Sequence, residues 1–382
     1  MPKLLLVANV SKEHIRKFHI PLIELLKESG WQVDVACRLD EPVPECDHAY
    51  DLPCDRNPFN GGITKSIKRL KEILRENTYD VVLCNTIVGS IIGRMAAALF
   101  RKQGLKVIYL NHGLHFFPGA SASRWALGWT MEKAMASKTD VMITINATDC
   151  ATAKKYLKIP VVETCHGMGV NLSRFRDAAL SNSERMERRK ALGIAPDDFV
   201  LTYVAEIIDN KNQQMLLDAF EIVRKTVPNA KLMLVGPEHD NGALRKLVES
   251  KGLQQDVLML GWRNDVPTLL HLADVYVASS KSEGLGLNLI EAMACGLPVV
   301  ATYNRGHLEI VNHETNGFLV DINDCKKMAA HVLQLWDDVE LRTRITRQAD
   351  QDIVKFGTEE AMKELVEVIV RSASSSTNLL DL

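Results

Sequence analysis

Short runs of Val, Ile and Leu alternate along this chain with longer segments in which apolar residues recur every three to four positions. The runs at 4–8, 32–37, 81–84, 106–110, 141–145 and 161–164 are mostly continuous rather than alternating, the pattern of strands covered on both faces. Between them the spacing predicts helices over about 15–29, 63–75, 90–101, 126–138 and 149–157, with Gly30 where a helix C-cap belongs. The stretch 171–197 breaks the rhythm: it is polar and charged, and reads as an interdomain connection with a short solvated helix. Strands then resume at 199–204, 231–235, 257–260, 275–278, 299–301 and 317–320. This alternation specifies an α/β protein made of two doubly wound, Rossmann-like parallel sheets. The expected division is an N-terminal domain over 1–172, a linker over 173–196 and a C-terminal domain over 197–359, with a helix of about 360–382 packing back onto the first domain. Ligands of such sheets bind beyond the carboxyl ends of the strands, so an interdomain cleft is the expected site.

The length of 382 residues fits two cores better than one. A net charge of −2, with 46% hydrophobic and 25% charged residues, gives no reason to expect a nucleic-acid binder or a disordered acidic tail. The first half is mildly basic and the second acidic, which suggests different partners for the two. Eight cysteines without a CxxC pair read as small buried hydrophobes in a reducing cytosol. The apolar N-terminus is too short for a signal sequence, and His14, Arg16 and Lys17 follow it closely, so it reads as a first buried strand. No run of about 18 apolar residues could span a membrane. A cytoplasmic location is expected.

The segment from Ser279 to Val300 carries the most chemistry. A strand ends near Ser279, a turn containing Gly284 and Gly286 follows, and a helix runs to about Ala294 before Gly296 and Pro298 stop it. The glycines allow close approach of backbone N–H groups to a ligand, and the helix N-terminus behind them favours negative charge. That arrangement suits a diphosphate. Glu283 on the turn and Glu291 one turn inside the helix are unsuited to phosphate, since like charges repel, but each can accept two hydroxyl hydrogens. Carboxylate, phosphate cradle, carboxylate therefore reads as sugar, diphosphate, ribose. A hydrolase would also place two carboxylates about 5–10 Å apart, but has no use for a phosphate-shaped turn between them.

This segment resembles the Glu-x7-Glu signature of the family 4 retaining glycosyltransferases, whose GT-B fold has two Rossmann-like domains facing across a cleft. Further matches lie at His14-Ile15, Phe18-His19-Ile20-Pro21, Tyr50-Asp51-Leu52-Pro53, Arg56-Asn57-Pro58-Phe59, His112-Gly113-Leu114-His115-Phe116-Phe117 and Thr144-Ile145-Asn146 with Asp149. Together they resemble the branch that builds bacterial capsular and exopolysaccharides.

The resemblance implies that Glu283 holds hydroxyls of the donor sugar and Glu291 the ribose. Gly286, Leu287 and Asn288 would offer backbone N–H groups, Lys211 would neutralise the diphosphate, and Arg263 falls where the family contacts the base. His112 matches the histidine that approaches the donor sugar across the cleft. His14, His19 and His115 are expected at the acceptor side or along the first loop. Two departures stand out: Ala205-Glu206 occupies the place of a phosphate-clamping arginine, and Asn85-Thr86-Ile87 that of a His-Thr-Pro.

The implied reaction is retaining, front-face transfer of a hexose or N-acetylhexosamine from a nucleotide sugar, with UDP as the expected nucleotide. No metal or other cofactor is expected. The implied acceptor is a polyprenyl-diphosphate-linked sugar. Residues 63–75 combine an apolar stripe with lysines and arginines, so this helix could lie on anionic lipid and hold the protein peripherally at the inner membrane face. The runner-up activity is a nucleotide-sugar epimerase or phosphorylase-like enzyme of the same fold, and a non-catalytic sugar-nucleotide sensor is a third reading.

Overall fold

A computed structural model describes residues 1–54 and 61–374. The chain forms two compact units, one made of residues 1–169 together with the chain from Thr358 onward, the other spanning Val170–Gly357.

The first unit is built on a seven-stranded sheet. Its strands are β1 (Lys3–Val10), β2 (Gln32–Arg38), β3 (His48–Asp51), β4 (Val81–Asn85), β5 (Lys106–Asn111), β6 (Val141–Thr144) and β7 (Val161–Thr164). They lie in the order β3-β2-β1-β4-β5-β6-β7, all pairs parallel. Leu4, Leu5, Leu6, Val7 and Ala8 are fully or almost fully buried, as a central strand covered on both faces requires. The order reverses around β1, so the crevice beyond β1 and β4 is the natural place for chemistry.

Several expectations change here. Instead of one helix over 15–29, a π-helix spans Ser11–His19 and an α-helix follows at Ile20–Glu28. Strand β3 was not anticipated, because this edge strand is largely exposed and lacks an apolar run. The apolar stripe of the helix Gly62–Glu76 is turned inward: Leu70, Ile73 and Leu74 belong to the core and Ile63 and Ile67 pack against it. That stripe is therefore unavailable to lipid, and the expected membrane contact through it is withdrawn. The Arg56–Phe59 motif lies outside the described residues. From Thr358 to Ser374 the chain is a helix packed on Ile20–Glu28, with Glu364 accepting from the His166 backbone N–H at 2.9 Å.

The second unit holds β8 (Phe199–Val204), β9 (Ala230–Val235), β10 (Val257–Met259), β11 (Val275–Ala278), β12 (Val299–Thr302) and β13 (Phe318–Val320). Their order is β10-β9-β8-β11-β12-β13, again parallel. The presumed linker is part of this unit. Ser181 and Glu184 form a capping box that starts the helix Asn182–Ala191. That helix docks through Arg185 and Arg189, whose Nη2 atoms reach the two oxygens of Asp274 at 2.8 and 2.7 Å. Arg189 is only 2% exposed, so its charge is held by this pairing and by carbonyls such as Leu272 O at 2.9 Å.

A second buried pair organises the first unit. Arg94 donates to Glu132 at 2.7 Å and to Ser90 Oγ at 3.0 Å, and its guanidinium lies over the Tyr109 ring. Both charged side chains are buried. Glu132→Ala would leave the Arg94 charge uncompensated, and is expected to destabilise the protein by about 3–5 kcal/mol. Urea unfolding followed by circular dichroism would measure it, and a loss under ~1 kcal/mol would show that water or another carboxylate takes over.

Candidate active site

In the second unit the strand order reverses at β8, and the loops after β8 and β11 lie beyond neighbouring carboxyl ends. The first loop makes a 3-10 turn at Asp209–Lys211 and turns the chain with Asn212 at φ +54°. The second runs from Ser279 to Glu283. Four contacts join them: the Lys281 N–H donates to Asn210 O at 2.8 Å, Ser279 Oγ to Lys211 O at 2.8 Å, Asn210 Nδ2 to Ser282 O at 2.9 Å, and Lys281 Nζ reaches Asp209 at 2.6 Å. The result is that Lys211 Nζ stands 2.5 Å from Glu283 Oε1. These side chains are 19% and 15% exposed, so the ion pair is only weakly screened by solvent.

After Glu283 the chain turns through Gly286, with φ +93°, into the helix Leu287–Ala294. A Cβ at Gly306 would sit 2.9 Å from the backbone O of Glu283 and from Leu285 N, so only glycine allows this backbone to pass beneath the turn. Asn288 serves through its side chain, donating from Nδ2 to Val204 O at 3.1 Å and tying the first helical turn to the end of β8. The upper helix turn is thereby fixed relative to the Lys211 loop, with its N–H groups at the site.

Glu291 lies deeper. Burial pushes its carboxyl pKa up to about 7, with Arg174 pulling the other way. Its charge is felt by Tyr276 and Cys295, whereas that of Glu283 is felt by Tyr203 and His307, so the two acids serve different surroundings.

The other expected residues divide. Arg263 grips Asp265 with both Nε and Nη2, at 2.7 and 2.6 Å, which occupies its fork in this structure. Glu206 is exposed, and its backbone carbonyl accepts from Gln213 Nε2 at 2.8 Å. Two residues were missed by the sequence reading. Arg305 donates from Nε to Glu283 O at 3.2 Å, placing a second cation beside the turn where none was anticipated after the loss of the usual arginine. His307 is fully buried against Gly286, donating from Nδ1 to Thr302 O at 2.7 Å, while its Nε2 makes no hydrogen bond among the described residues. The Arg-Gly-His step at 305–307, separated from the end of β12 by two residues, was the available signal.

In the first unit, His112 follows β5 and its Nε2 lies 2.7 Å from Asn85 Oδ1. Asn85 also contacts the buried His19, whose Nδ1 is 3.1 Å from His14 O. Burial, reinforced by His112, pushes the His19 pKa down to about 3. His14, His19 and His112 are thus linked around Asn85. His115 is half-buried under the helix Ala122–Ala136, where Gly128 allows the approach. Leu114, Phe116 and Phe117 are buried, so much of the HGLHFF block is packing. Among the described residues no cluster of three or more His, Cys, Asp or Glu side chains is arranged to hold a metal ion.

Two doubly wound sheets, with a glycine turn and helix N-terminus beside a Lys–Glu pair, define a GT-B protein. Residues 184–352 match the family described as glycosyl transferases group 1, and residues 3–146 match glycosyl transferase 4-like. The chain is 35% identical over 370 residues to EpsD of Bacillus subtilis (strain 168), a protein named as a glycosyltransferase without a stated substrate, covering 96% of each. It is 27% identical over 344 residues to the Escherichia coli UDP-Gal:alpha-D-GlcNAc-diphosphoundecaprenol alpha-1,3-galactosyltransferase, covering 87% of this chain and 86% of that one. Its fold is similar to Anabaena Alr3699/HepE, crystallised in complex with UDP and glucose, with a TM-score of 0.78 and 20% identity over 97% of this chain and all of that one. The chain belongs to the family 4 glycosyltransferases.

The Glu291 shift has a measurable sign. With a folded pKa near 7 against an ordinary 4.5, the folded protein keeps a proton that the unfolded chain has lost between those values. This group therefore lowers stability as pH rises across that window. Urea unfolding at intervals from pH 4.5 to 7 is expected to show wild type losing stability relative to Glu291→Gln; parallel curves would contradict the raised pKa.

Proposed function

We propose that this glycosyltransferase moves a hexose or N-acetylhexosamine from a nucleotide sugar, with UDP as nucleotide, to a polyprenyl-diphosphate-linked sugar during assembly of a bacterial surface polysaccharide, with retention of anomeric configuration. The observation that carries the donor half is the Lys211–Glu283 pair at the mouth of the glycine turn. Lys211 and Glu283 neutralise each other here. An arriving diphosphate would compete for the ammonium, and the freed carboxylate would accept sugar hydroxyls. The two groups thus exchange partners on binding, and neither charge is left bare.

In the reaction, charge develops on the departing nucleoside diphosphate. Lys211, the N–H groups opening the helix Leu287–Ala294, and Arg305 beside the turn suit its stabilisation, and the reading calls for no metal. Glu291 suits the ribose diol, and His112 a sugar hydroxyl. Retention would follow from front-face attack, with a donor phosphate oxygen helping to deprotonate the acceptor hydroxyl. The lipid-linked acceptor is supported by the printed activity of the Escherichia coli relative, and the polysaccharide setting by the 25% identity over 360 residues, 90% of each chain, to the Staphylococcus aureus capsular polysaccharide biosynthesis glycosyltransferase CapM.

The deciding experiment is a donor panel in which each nucleotide sugar is offered to the protein and binding is measured by calorimetry, then slow hydrolysis by product release. One UDP-sugar is expected to stand out. Release of an isomerised nucleotide sugar without acceptor would instead establish the epimerase reading. With the donor known, Lys211→Ala and Glu283→Ala should each lower turnover by at least ~10²-fold, the scale of losing one preorganised electrostatic contact. Near-normal activity in either variant would remove that residue from the site.

A further inference from the structure

The crevice beyond β1 and β4 holds a chain of hydrogen bonds in which each bond has one allowed direction. At one end is the carbonyl of His14, which can only accept; His19 Nδ1, 3.1 Å away, therefore carries a hydrogen. His19 is fully buried, and burial pushes its pKa down to about 3, so the ring is neutral; its Nε2 is left as an acceptor and takes a hydrogen from the Asn85 side-chain amide. At the other end the Thr86 backbone N–H can only donate, so the Asn85 atom 2.8 Å from it is the oxygen. The two ends fix the Asn85 amide in the same orientation. Its Oδ1 then faces His112 Nε2 at 2.7 Å and accepts from it.

We propose that Asn85 is a positioning residue that holds His112 as its Nε2–H tautomer, so that the ring presents Nδ1 as a hydrogen-bond acceptor for a carbohydrate hydroxyl. The proposal rests on the reading of His112 as a substrate-facing residue. It adds a chemical restriction to it. A neutral Nδ1 lone pair accepts a hydroxyl hydrogen and repels a phosphate oxygen, which has no hydrogen to give. His112 therefore selects the sugar part of a substrate over its diphosphate. Among the described residues Nδ1 has no protein partner that would otherwise use it.

The surrounding backbone is built to hold this amide. Thr86 sits at φ +61° and ψ 164°, a conformation that a β-branched residue rarely adopts. It is held there by its Oγ1 donating to Asn9 Oδ1 at 2.9 Å, while the Gly89 N–H donates to the same oxygen at 2.7 Å. A Cβ at Gly89 would lie 2.8 Å from Ala8 Cα, so the helix Ile87–Ala97 starts pressed onto β1. The nine-residue π-helix Ser11–His19 supplies the other side, bringing the His14 carbonyl opposite the His19 ring.

The test is the tautomer itself. In the full-length protein with 15N-labelled histidine, long-range 1H–15N spectra identify which ring nitrogen carries hydrogen, and an exposed-site variant, His112→Gln, assigns the signal. Wild type should show His112 protonated at Nε2 and bare at Nδ1. Asn85→Leu should convert this to a mixture of tautomers, and Asn85→Asp should restore Nε2–H, because its carboxylate still accepts. A wild-type Nδ1–H tautomer, or a signal indifferent to Asn85→Leu, would overturn the proposal. In transfer assays Asn85→Leu should lower kcat by about tenfold, the scale of one hydrogen bond, with KM for the donor little changed. In a His112→Ala background the same substitution should cost nothing more; additive losses would mean that Asn85 acts elsewhere. The spectra need no substrate, so the expected tautomer in a protein whose His112→Ala variant kept full activity would support the Asn85 relay while removing the role of His112 in transfer.

Discussion

The second unit depends on the seam between the loop after β8 and the loop after β11. These loops are about 70 residues apart in the chain, and an ion pair between exposed, mobile side chains at that separation would contribute little. The backbone bond of Lys281 to Asn210 and the Ser279 hydroxyl's bond to the Lys211 carbonyl hold the two loops together, so that the Lys211 and Glu283 side chains meet on a fixed frame. Gly306 lets a third segment, the turn after β12, pass beneath Glu283, since any side chain there would strike the Glu283 backbone. The site is a consequence of how the loops are joined, and the charges are its outermost layer.

That dependence explains what was legible in the sequence. The strands of the second unit were read almost to the residue because each is a short apolar run bounded by turn formers, and burial on both faces leaves no other pattern. The glycine turn and its helix were legible for the same local reason. Segments whose identity is decided by distant partners were not. The charged stretch around Glu184 and Arg189 looked like solvated linker, because nothing nearby in sequence announces Asp274 as the partner that buries Arg189. The capping box at Ser181 and Glu184 was the one local sign of an ordered helix start. The helix Gly62–Glu76 shows the reverse ambiguity: an apolar stripe beside basic residues fits a lipid surface and a protein core equally well, and only the fold decides for the core.

Within the site, sequence placed Lys211 and Glu283 on separate motifs, and the structure brings them into one pair. It also supplies an answer to the arginine that Glu206 seemed to remove. Arg305, arriving from the loop after β12, donates to the Glu283 backbone carbonyl, so a second cation stands beside the turn by a different route. Its place could not be seen in a linear pattern, because the residue comes from a different loop than the one in which the resemblance leads one to look for an arginine.

Asn85 follows the same logic in the first unit. Taken alone, an asparagine where the family resemblance leads one to expect a histidine looks like the loss of a functional group. A histidine at that place could not do what the amide does here: accept from Thr86 N–H and His112 with one atom while donating to His19 with the other. An imidazole presents one hydrogen and one lone pair at opposite ends of a rigid ring; the amide presents both from one carbon and faces two histidines at once. With an amide at this place, the group offered to substrate is the His112 ring, and Asn85 is the fixed link behind it that sets its tautomer.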